Sequence, residues 1–489
     1  MSKDLKHILR DIDHKLNGPE NLTINKIEFD SRKVGKGDLF VAVKGIHVDG
    51  HDFIEKAIEQ GAVAIVCEQT PSLSTEAEVC LIEVKNSARA LGEIAANYYD
   101  NPSRTLKLTG VTGTNGKTSI VTLLHRLLTG MGIQCGLLST VVNKIGEEDV
   151  PATHTTPDAL TIQRLLRDMA DAGCSHAFME VSSHAIDQNR IAGLEFDIAV
   201  FTNITHDHLD YHETFDEYIK VKKRFFDELQ ASAFALVNKD DKNGRVMVQN
   251  TSASVKTYAV KTMADFKAKV IESHFDGMQI QIGNQELWIR LIGLFNVSNI
   301  LAVYGAASLL DLPSDEILRI ISTLGTVDGR FENVRSPEGV TAIIDYAHTP
   351  DALKNVLTTI REIKDENSEL ITVVGAGGDR DRRKRPVMGR LSAELSEKVI
   401  LTSDNPRSED PILIIEEMFE GIDQDDRSKV LSISDRKEAI RTACMMAKPG
   451  DVVLVAGKGH ETYQEIKGVR SYFNDKQVVS ELFDNTKQK

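Results

Sequence analysis

Residues 106–132, LKLTGVTGTNGKTSIVTLLHRLLTGMG, restrict the fold more than any other part of this chain. An apolar run, a glycine-bearing turn and an apolar stripe of helical period follow one another without a break. This order requires a strand that passes its chain to a helix at the edge of a sheet. Further strand–helix units follow in SHAFMEVSSHA, FDIAVFTNITHDH and the amphipathic TFDEYIKVKKRFFDELQ, and such alternation specifies a parallel sheet covered by helices. Residues 250–292 read as more antiparallel, return to helix in NVSNILAVYGAASLL, and extend the same unit.

The 489 residues exceed what one core supports, and at roughly 150 residues per domain they predict about three. A turn-forming cluster, Asp100, Asn101, Pro102 and Ser103, marks the first boundary. A last α/β unit begins near residue 335, with strands in VTAIIDYAH, LITVVGAGGD, KVILTSD, KVLSIS and DVVLVAGKGH. The expected class is therefore α/β with three domains, 1–103, 104–334 and 335–489: a central P-loop-type, mostly parallel sheet between an N-terminal α/β domain and a C-terminal Rossmann-like α/β domain. In open parallel sheets ligands bind at the carboxyl ends of the strands.

With 58 basic against 73 acidic residues the net charge is −15, which opposes bulk association with nucleic acid or an anionic membrane. Five scattered cysteines without a C-x-x-C pair argue against a disulfide framework and a cysteine-rich zinc site. The N-terminal MSKDLKHILRDIDHKL has no uninterrupted apolar core, so neither a signal peptide nor a membrane span is expected, and the cytoplasm is the expected location.

Gly113, Thr114, Asn115, Gly116, Lys117 and Thr118 stand between strand and helix, the context a phosphate loop needs. Glycines let backbone N–H groups curl around phosphate oxygens, Lys117 neutralises them, and Thr118 offers a hydroxyl to Mg²⁺. The Walker spacing is incomplete, because Val111 occupies the first glycine position. ATP is the expected ligand; the alternative is a glycine-rich turn with a surface lysine. Glu180 and His208 end two further strands, and if both flank the loop strand they converge on the γ-phosphate as Mg²⁺ ligands. The spacing of His206, His208 and His212 leaves zinc as an alternative. Lys222 lies on the apolar stripe of its helix between Ile219 and Phe226, so it must snorkel, find a partner or change its charge. The last unit offers the turn 345–350, the basic loop 378–385, Asp404-Asn405-Pro406-Arg407, and Gly457 to Glu461. Lacking interleaved aromatics, the basic loop points to a small anionic substrate rather than nucleic acid, and Arg407 could fork onto a carboxylate.

With these motifs in order, the chain resembles the Mur ligases of peptidoglycan synthesis over essentially its whole length, and within them the branch that makes the UDP-muramoyl tripeptide. TGTNGKT, EVSSHAIDQNR, the Asp-His-Leu-Asp-Tyr-His stretch, DYAHTPDAL, DSRKVGKGDLFVAVKG and Asp-Asn-Pro-Arg carry the resemblance. It implies ATP-dependent addition of meso-diaminopimelate to UDP-MurNAc-L-Ala-D-Glu through an acyl phosphate. It implies that residues 113–118 with Asn296, Arg330, Asp345 and His348 bind ATP, and that Thr118, Glu180, His208 and a Lys222 carbamylated by CO₂ hold a pair of Mg²⁺ ions. Lys117, Lys222 and His208 become the catalytic set. Ser31, Thr155, Thr156, Ser182, Gln188 and Arg190 would hold the UDP-muramoyl substrate, and Arg380, Asp404, Asn405, Pro406, Arg407, Gly457 and Glu461 the diaminopimelate. His154 stands where the family pattern has Asn. A monomer acting on small molecules is expected. The rivals are a lysine-adding or D-Ala-D-Ala-adding enzyme, a folylpolyglutamate synthase, or a non-catalytic P-loop switch; DSRKVGKGDLF opposes the folate enzyme and Asp-Asn-Pro-Arg opposes the D-Ala-D-Ala-adding one.

Overall fold

The computed structural model describes residues 2–45, 48–71, 78–152 and 154–485. Three open sheets follow one another along it, each with its own buried clusters. The first, five-stranded sheet runs in the order His14–Asn17, Cys80–Val84, Ala64–Cys67, Leu39–Val41 and Ile27–Glu28, and only its first pair is antiparallel.

The central sheet has eleven strands. Its parallel heart runs Cys135–Leu138, His176–Glu180, Lys107–Thr112, Ile198–Phe201, Phe234–Asn238 and Ser254–Ala259. Leu108, Val111, Phe178, Val200 and Phe201 are all fully buried, as unbroken apolar runs must be when helices cover both faces. Helices Lys117–Gly130 and Leu294–Leu309 pack on one face and Ala159–Asp171 and Phe215–Asp227 on the other. The antiparallel reading of residues 250–292 holds for half of that stretch. Ser254–Ala259 and Phe266–His274 continue the parallel set, and Gly277–Ile282 and Gln285–Ile289 reverse it. Period-two patterning does not distinguish a parallel edge strand from an antiparallel one when both are half exposed.

The C-terminal sheet is ordered Glu332–Arg335, Thr341–Asp345, Val452–Ala456, Leu370–Val374, Lys398–Leu401 and Val430–Ser432, antiparallel only at its first pair. It contains all five strands expected from the sequence, plus Glu332–Arg335. No helix among the described residues is long and apolar enough to cross a membrane.

Most helices start on a side-chain cap: Asp158 accepts from Thr161 N (2.9 Å), Thr214 from Glu217 N (3.2 Å) and Thr349 from Ala352 N (3.3 Å). Each cap satisfies one of the free N–H groups of a helix start. Helix Lys117–Gly130 begins instead on Gly116, which has no side chain to offer.

The first unit meets the second where helix Ser87–Tyr98 lies on the turn at Ala192. A Cβ on Gly92 would come within 2.5 Å of Ala192 O and 2.9 Å of its Cβ. The Gly92→Leu substitution is therefore expected to wedge the two units apart and cost about 1–3 kcal/mol by overpacking. A lowered urea midpoint would show it; an unchanged midpoint would mean the contact contributes nothing to stability.

Candidate active site

The strand order brings the expected residues together. Lys107–Thr112 lies between His176–Glu180 and Ile198–Phe201, with Glu180 level with Val111 and Phe201 level with Thr112. The phosphate loop thus leaves the sheet between the strand that ends in Glu180 and the one that leads to His208. Residues just past Phe201 grip the loop: Thr114 N donates to Asn203 O (2.8 Å), Asn115 N to Asn203 Oδ1 (2.9 Å), and Thr202 Oγ1 to Asn115 O (2.6 Å). The grip is close enough to need glycines. A Cβ on Gly113 (φ +151°) would fall 1.8 Å from Thr202 Oγ1, and one on Gly116 (φ +91°) 2.6 Å from Asn299 Oδ1. With no side-chain cap, the first-turn N–H groups of helix Lys117–Gly130 remain available to an anion.

The loop lines a cleft of about 900 Å³ that also reaches the strand ends of the C-terminal sheet. Lys117 Nζ donates to Gly113 O and Thr114 O (2.9 Å each), and Arg330 Nη2 donates to Thr118 Oγ1 (3.2 Å) from across the cleft. Burial lowers the Lys117 pKa, against the pull of Glu180 and Asp207. Glu180 is 1% exposed. Its Oε1 accepts Thr140 N (2.7 Å), and its Oε2 has no hydrogen bond among the described residues. Thr156 Oγ1 donates to Glu180 O (2.8 Å) and accepts from Ser182 N (3.1 Å), while Arg190 donates to Thr156 O (2.8 Å) and to Gln188 Oε1 (2.6 Å). Thr155 accepts from Thr140 Oγ1 (3.1 Å), and His154 lines the same wall.

His208 adopts the left-handed conformation (φ +54°), a geometry that non-glycine residues keep mainly where surrounding structure imposes it. Burial holds its imidazole well below the ordinary pKa, against the neighbouring Asp207 carboxylate, so the ring is neutral and can act as a ligand. The three histidines considered for zinc are engaged separately. His206 stacks on Phe215 (5.0 Å between ring centres), His212 Nε2 lies 2.9 Å from Ser183 Oγ, and His208 packs edge-on against His184 (4.9 Å). Among the described residues no three His, Cys, Asp or Glu side chains form a metal cluster. Magnesium needs no such cluster, because it takes one or two carboxylates and completes its shell with water and phosphate; the free Oε2 of Glu180 and the Thr118 hydroxyl fit it.

Lys222 does not snorkel. It is 1% exposed, its Nζ lies 3.1 Å from Gly113 O, 3.5 Å from Thr112 Oγ1 and 4.8 Å from the Tyr218 ring centre, directly behind the phosphate loop. Burial, reinforced by Lys117, pulls its pKa far below that of a free lysine. Burial thus disfavours the charged ammonium at this position.

Opposite the loop, Phe331 N donates to Asp345 Oδ2 (2.6 Å), and burial lifts the Asp345 pKa to about 6 despite Arg330. Burial likewise lowers the His348 pKa to about 4. Asn296 reaches the cleft from the first turn of helix Leu294–Leu309, held by Ile292 O (2.8 Å) and Asn299 (3.2 Å).

The basic loop divides in two. Arg385, fully buried, is tied to Glu409 (2.7 Å) and Glu417 (2.8 Å), and Arg382 also pairs with Glu417, whereas Arg380 and Lys384 face the cleft. Beside them Asn405 Nδ2 donates to Glu461 Oε2 (2.7 Å), and the buried Lys458 donates to both Asn405 Oδ1 (3.1 Å) and Glu461 (3.0 Å). Asp404, Arg407 and Gly457 complete this end. Pro406 and Gln188 stand behind the lining, and Ser31, buried in the turn Ser31–Lys33 of the first unit, does not line the cleft.

The sequence reading did not single out Asp207, Lys384, Lys458 or Asp351. Asp351 accepts from Asn115 Nδ2 (3.1 Å) and so joins the loop to helix Pro350–Ile363. Each lies in a segment already noted, but only its spatial neighbour distinguishes it from adjacent polar residues.

Comparison with known proteins gives a consistent result. The family described as "Mur ligase family, catalytic domain" matches residues 23–99, "Mur ligase middle domain" residues 111–307, and "Mur ligase, glutamate ligase domain" residues 329–459. A protein of Parabacteroides distasonis named "UDP-N-acetylmuramoyl-L-alanyl-D-glutamate--2,6-diaminopimelate ligase" is 56% identical over 468 residues, 96% of each chain. One of the same name from Cytophaga hutchinsonii is 55% identical over 469 residues, again 96% of each. A solved structure titled for the same ligase is 32% identical, with a TM-score of 0.70 and 100% of both chains covered.

Replacing Lys117 by Ala removes the one cation that the loop itself supplies. Binding of a non-hydrolysable ATP analogue, measured by titration calorimetry, is expected to weaken on the order of 10²-fold while the fold is kept. Unchanged affinity would refute the assignment of this loop to phosphate.

Proposed function

The chain belongs to the Mur ligase family, and on that premise we propose that it joins meso-diaminopimelate to UDP-MurNAc-L-Ala-D-Glu at the expense of ATP. The observation that carries this reading is the single cleft in which the phosphate loop, Glu180, His208 and the Asp404–Arg407 turn all meet. The three units divide the work, the last of them starting with strand Glu332–Arg335. The first, with Ser31, receives the UDP end; the second binds ATP and the muramoyl peptide; the third binds the amino acid. The protein acts as a monomer on small molecules in the cytoplasm.

Two anions must meet for the reaction to begin. The free carboxylate of the muramoyl peptide attacks the γ-phosphorus, a carboxylate-oxygen–phosphorus bond forms, and the bond to ADP breaks. The amine of diaminopimelate then attacks the acyl carbon and displaces phosphate, losing a proton as the amide forms. Lys117 and the uncapped helix start stabilise the charge on the transferring group. Arg330, Asp345, His348 and Asn296 position the nucleotide; Thr155, Thr156, Ser182, Gln188 and Arg190 hold the UDP-muramoyl substrate. A pair of Mg²⁺ ions, held by Thr118, Glu180, His208 and carbamylated Lys222, would supply further charge neutralisation. The Lys222 amine suits that modification: neutral, it adds to CO₂, forms the nitrogen–carbon bond, loses a proton and becomes an anion with two oxygens. Such a carbamate would give a lysine behind a phosphate loop a role.

Arg407 supports diaminopimelate over lysine. One arm of its guanidinium is tied to Gly378 O (2.5 Å), and Nε and Nη2 have no hydrogen bond among the described residues. A second carboxylate on the incoming amino acid would satisfy them; lysine would leave them desolvated and unpaired. Family members with other acceptors remain the competing reading.

Two measurements test this account. Lys222→Ala should be nearly inactive yet folded, and added short carboxylates should restore part of its turnover. Full activity in bicarbonate-free buffer would refute the carbamate. Arg407→Ala should lower kcat/KM for diaminopimelate by ~10³-fold or more while the KM values for ATP and the UDP-substrate stay near wild type. Equal use of lysine and diaminopimelate by the wild-type enzyme would overturn the specificity but leave the ligase chemistry standing.

A further inference from the structure

The amino-acid end of the cleft is built from two turns that the C-terminal sheet does not join directly. Asp404–Arg407 follows strand Lys398–Leu401, and Gly457–Glu461 follows strand Val452–Ala456. Strand Leu370–Val374 lies between these two, so the turns rise from strands about 10 Å apart. Above the middle strand they close over two glycines. A Cβ on Gly375 would meet Thr402 O at 2.5 Å, and one on Gly457 would meet Asp404 Oδ2 at 2.5 Å. The ladder holds the strand ends through Val374, which pairs with both Leu401 and Ala456, but it stops where the two turns begin.

On the cleft side the turns touch through Asn405, Lys458 and Glu461, and at their base one buried side chain bridges the two backbones. Arg436, the first residue of helix Arg436–Met446, is 1% exposed, and it donates from Nη2 to Ala456 O (3.0 Å) and from Nη1 to Ser403 O (3.4 Å). These carbonyls immediately precede Gly457 and Asp404. The guanidinium is fixed in turn by Asp475, 0% exposed, through Nε–Oδ1 (2.8 Å) and Nη2–Oδ2 (2.7 Å). A fork of five N–H donors in a plane suits one cation to bridging two carbonyls and a carboxylate. As a stability device the pair is poor, since burying both charges offsets much of their attraction.

We infer that Arg436, locked by Asp475, is a positioning residue for amino-acid selection: it sets the separation of the Asp404–Arg407 and Gly457–Glu461 turns, and thereby the span that the far end of the incoming amino acid must fit. The inference rests on the assignment of these turns to diaminopimelate. It concerns geometry alone, because neither Arg436 nor Asp475 lines the cleft.

The test exploits the tolerance of buried ion pairs to apolar replacement of similar volume. In the double variant Arg436→Met/Asp475→Leu the core stays filled and no charge is stranded, but the bridge between the carbonyls is gone. The thermal midpoint is expected to stay within a few degrees of wild type, with KM for ATP and UDP-substrate within about twofold and KM for diaminopimelate raised about tenfold or more. A folded double variant with wild-type KM for diaminopimelate overturns the inference and reduces the pair to a structural one. Arg436→Lys keeps the pairing with Asp475 but cannot reach both carbonyls. It is expected to raise the same KM at least threefold, and if the double variant fails to fold, a wild-type KM here overturns the inference. Wild-type activity with lysine and diaminopimelate, measured alongside, separates the two ideas. Preference for lysine defeats the substrate assignment, and the positioning role is then judged on the KM for lysine in the same variants.

Discussion

The grip of Thr202 and Asn203 on the phosphate loop is the contact from which the rest of the site takes its place. It forces glycine at 113, as Asn299 does at 116, where the helix start at Lys117 is left without a side-chain cap, and it brings the segment after strand Ile198–Phe201 against the loop. Once the loop is held there, parallel pairing fixes Glu180 beside it, and the Lys222 amine, on the helix that follows, comes within 3.1 Å of Gly113 O. An anion site with a carboxylate on one flank and a buried amine behind it follows from strand order and the size of glycine.

Electrostatics explains why the cleft lies between two sheets. Lys117, Arg330, Arg380 and Lys384 line one cavity with Glu180, Asp207, Asp345 and Asp404. Several are held away from their ordinary pKa by burial, partly offset by the opposite charge across the gap. Such a mixture is costly in one compact core. At the junction of separately folded units it is tolerated, because each sheet is stabilised by its own apolar clusters and the cleft remains open to phosphate, carboxylate and ammonium groups. The bond Asn115–Asp351 joins the loop to the C-terminal unit across that junction, and Arg330–Thr118 ties the loop to the segment that leads into that unit.

Much of this was legible in the sequence. A strand, two glycines and a lysine before an amphipathic helix define a loop from local chemistry alone, and its neighbours Glu180 and His208 are readable because strand ends are where parallel sheets put function. Lys222 was visible as a charge on an apolar stripe, although its direction was not: a helical wheel gives the face a residue occupies but not whether its tip reaches water. Within the basic loop 378–385 the sequence cannot say that Arg385 is consumed by Glu409 and Glu417 while Lys384 faces the cleft, because those acids arrive from another helix.

The sequence by itself determined the elements and their kind. Apolar period, glycine position and capping residues act over a few neighbours, and together they specify three α/β units and a strand–loop–helix phosphate site. The tertiary structure alone decided which strands are adjacent, which cations are paired or left facing the cleft, and how two turns on non-adjacent strands come to line one end of the cleft, bridged by Arg436. Those outcomes depend on contacts between residues far apart in the chain, such as Arg436 with Asp475 or Asn115 with Asp351, and desolvation and pairing energies exist only once folding has brought both partners to the same place.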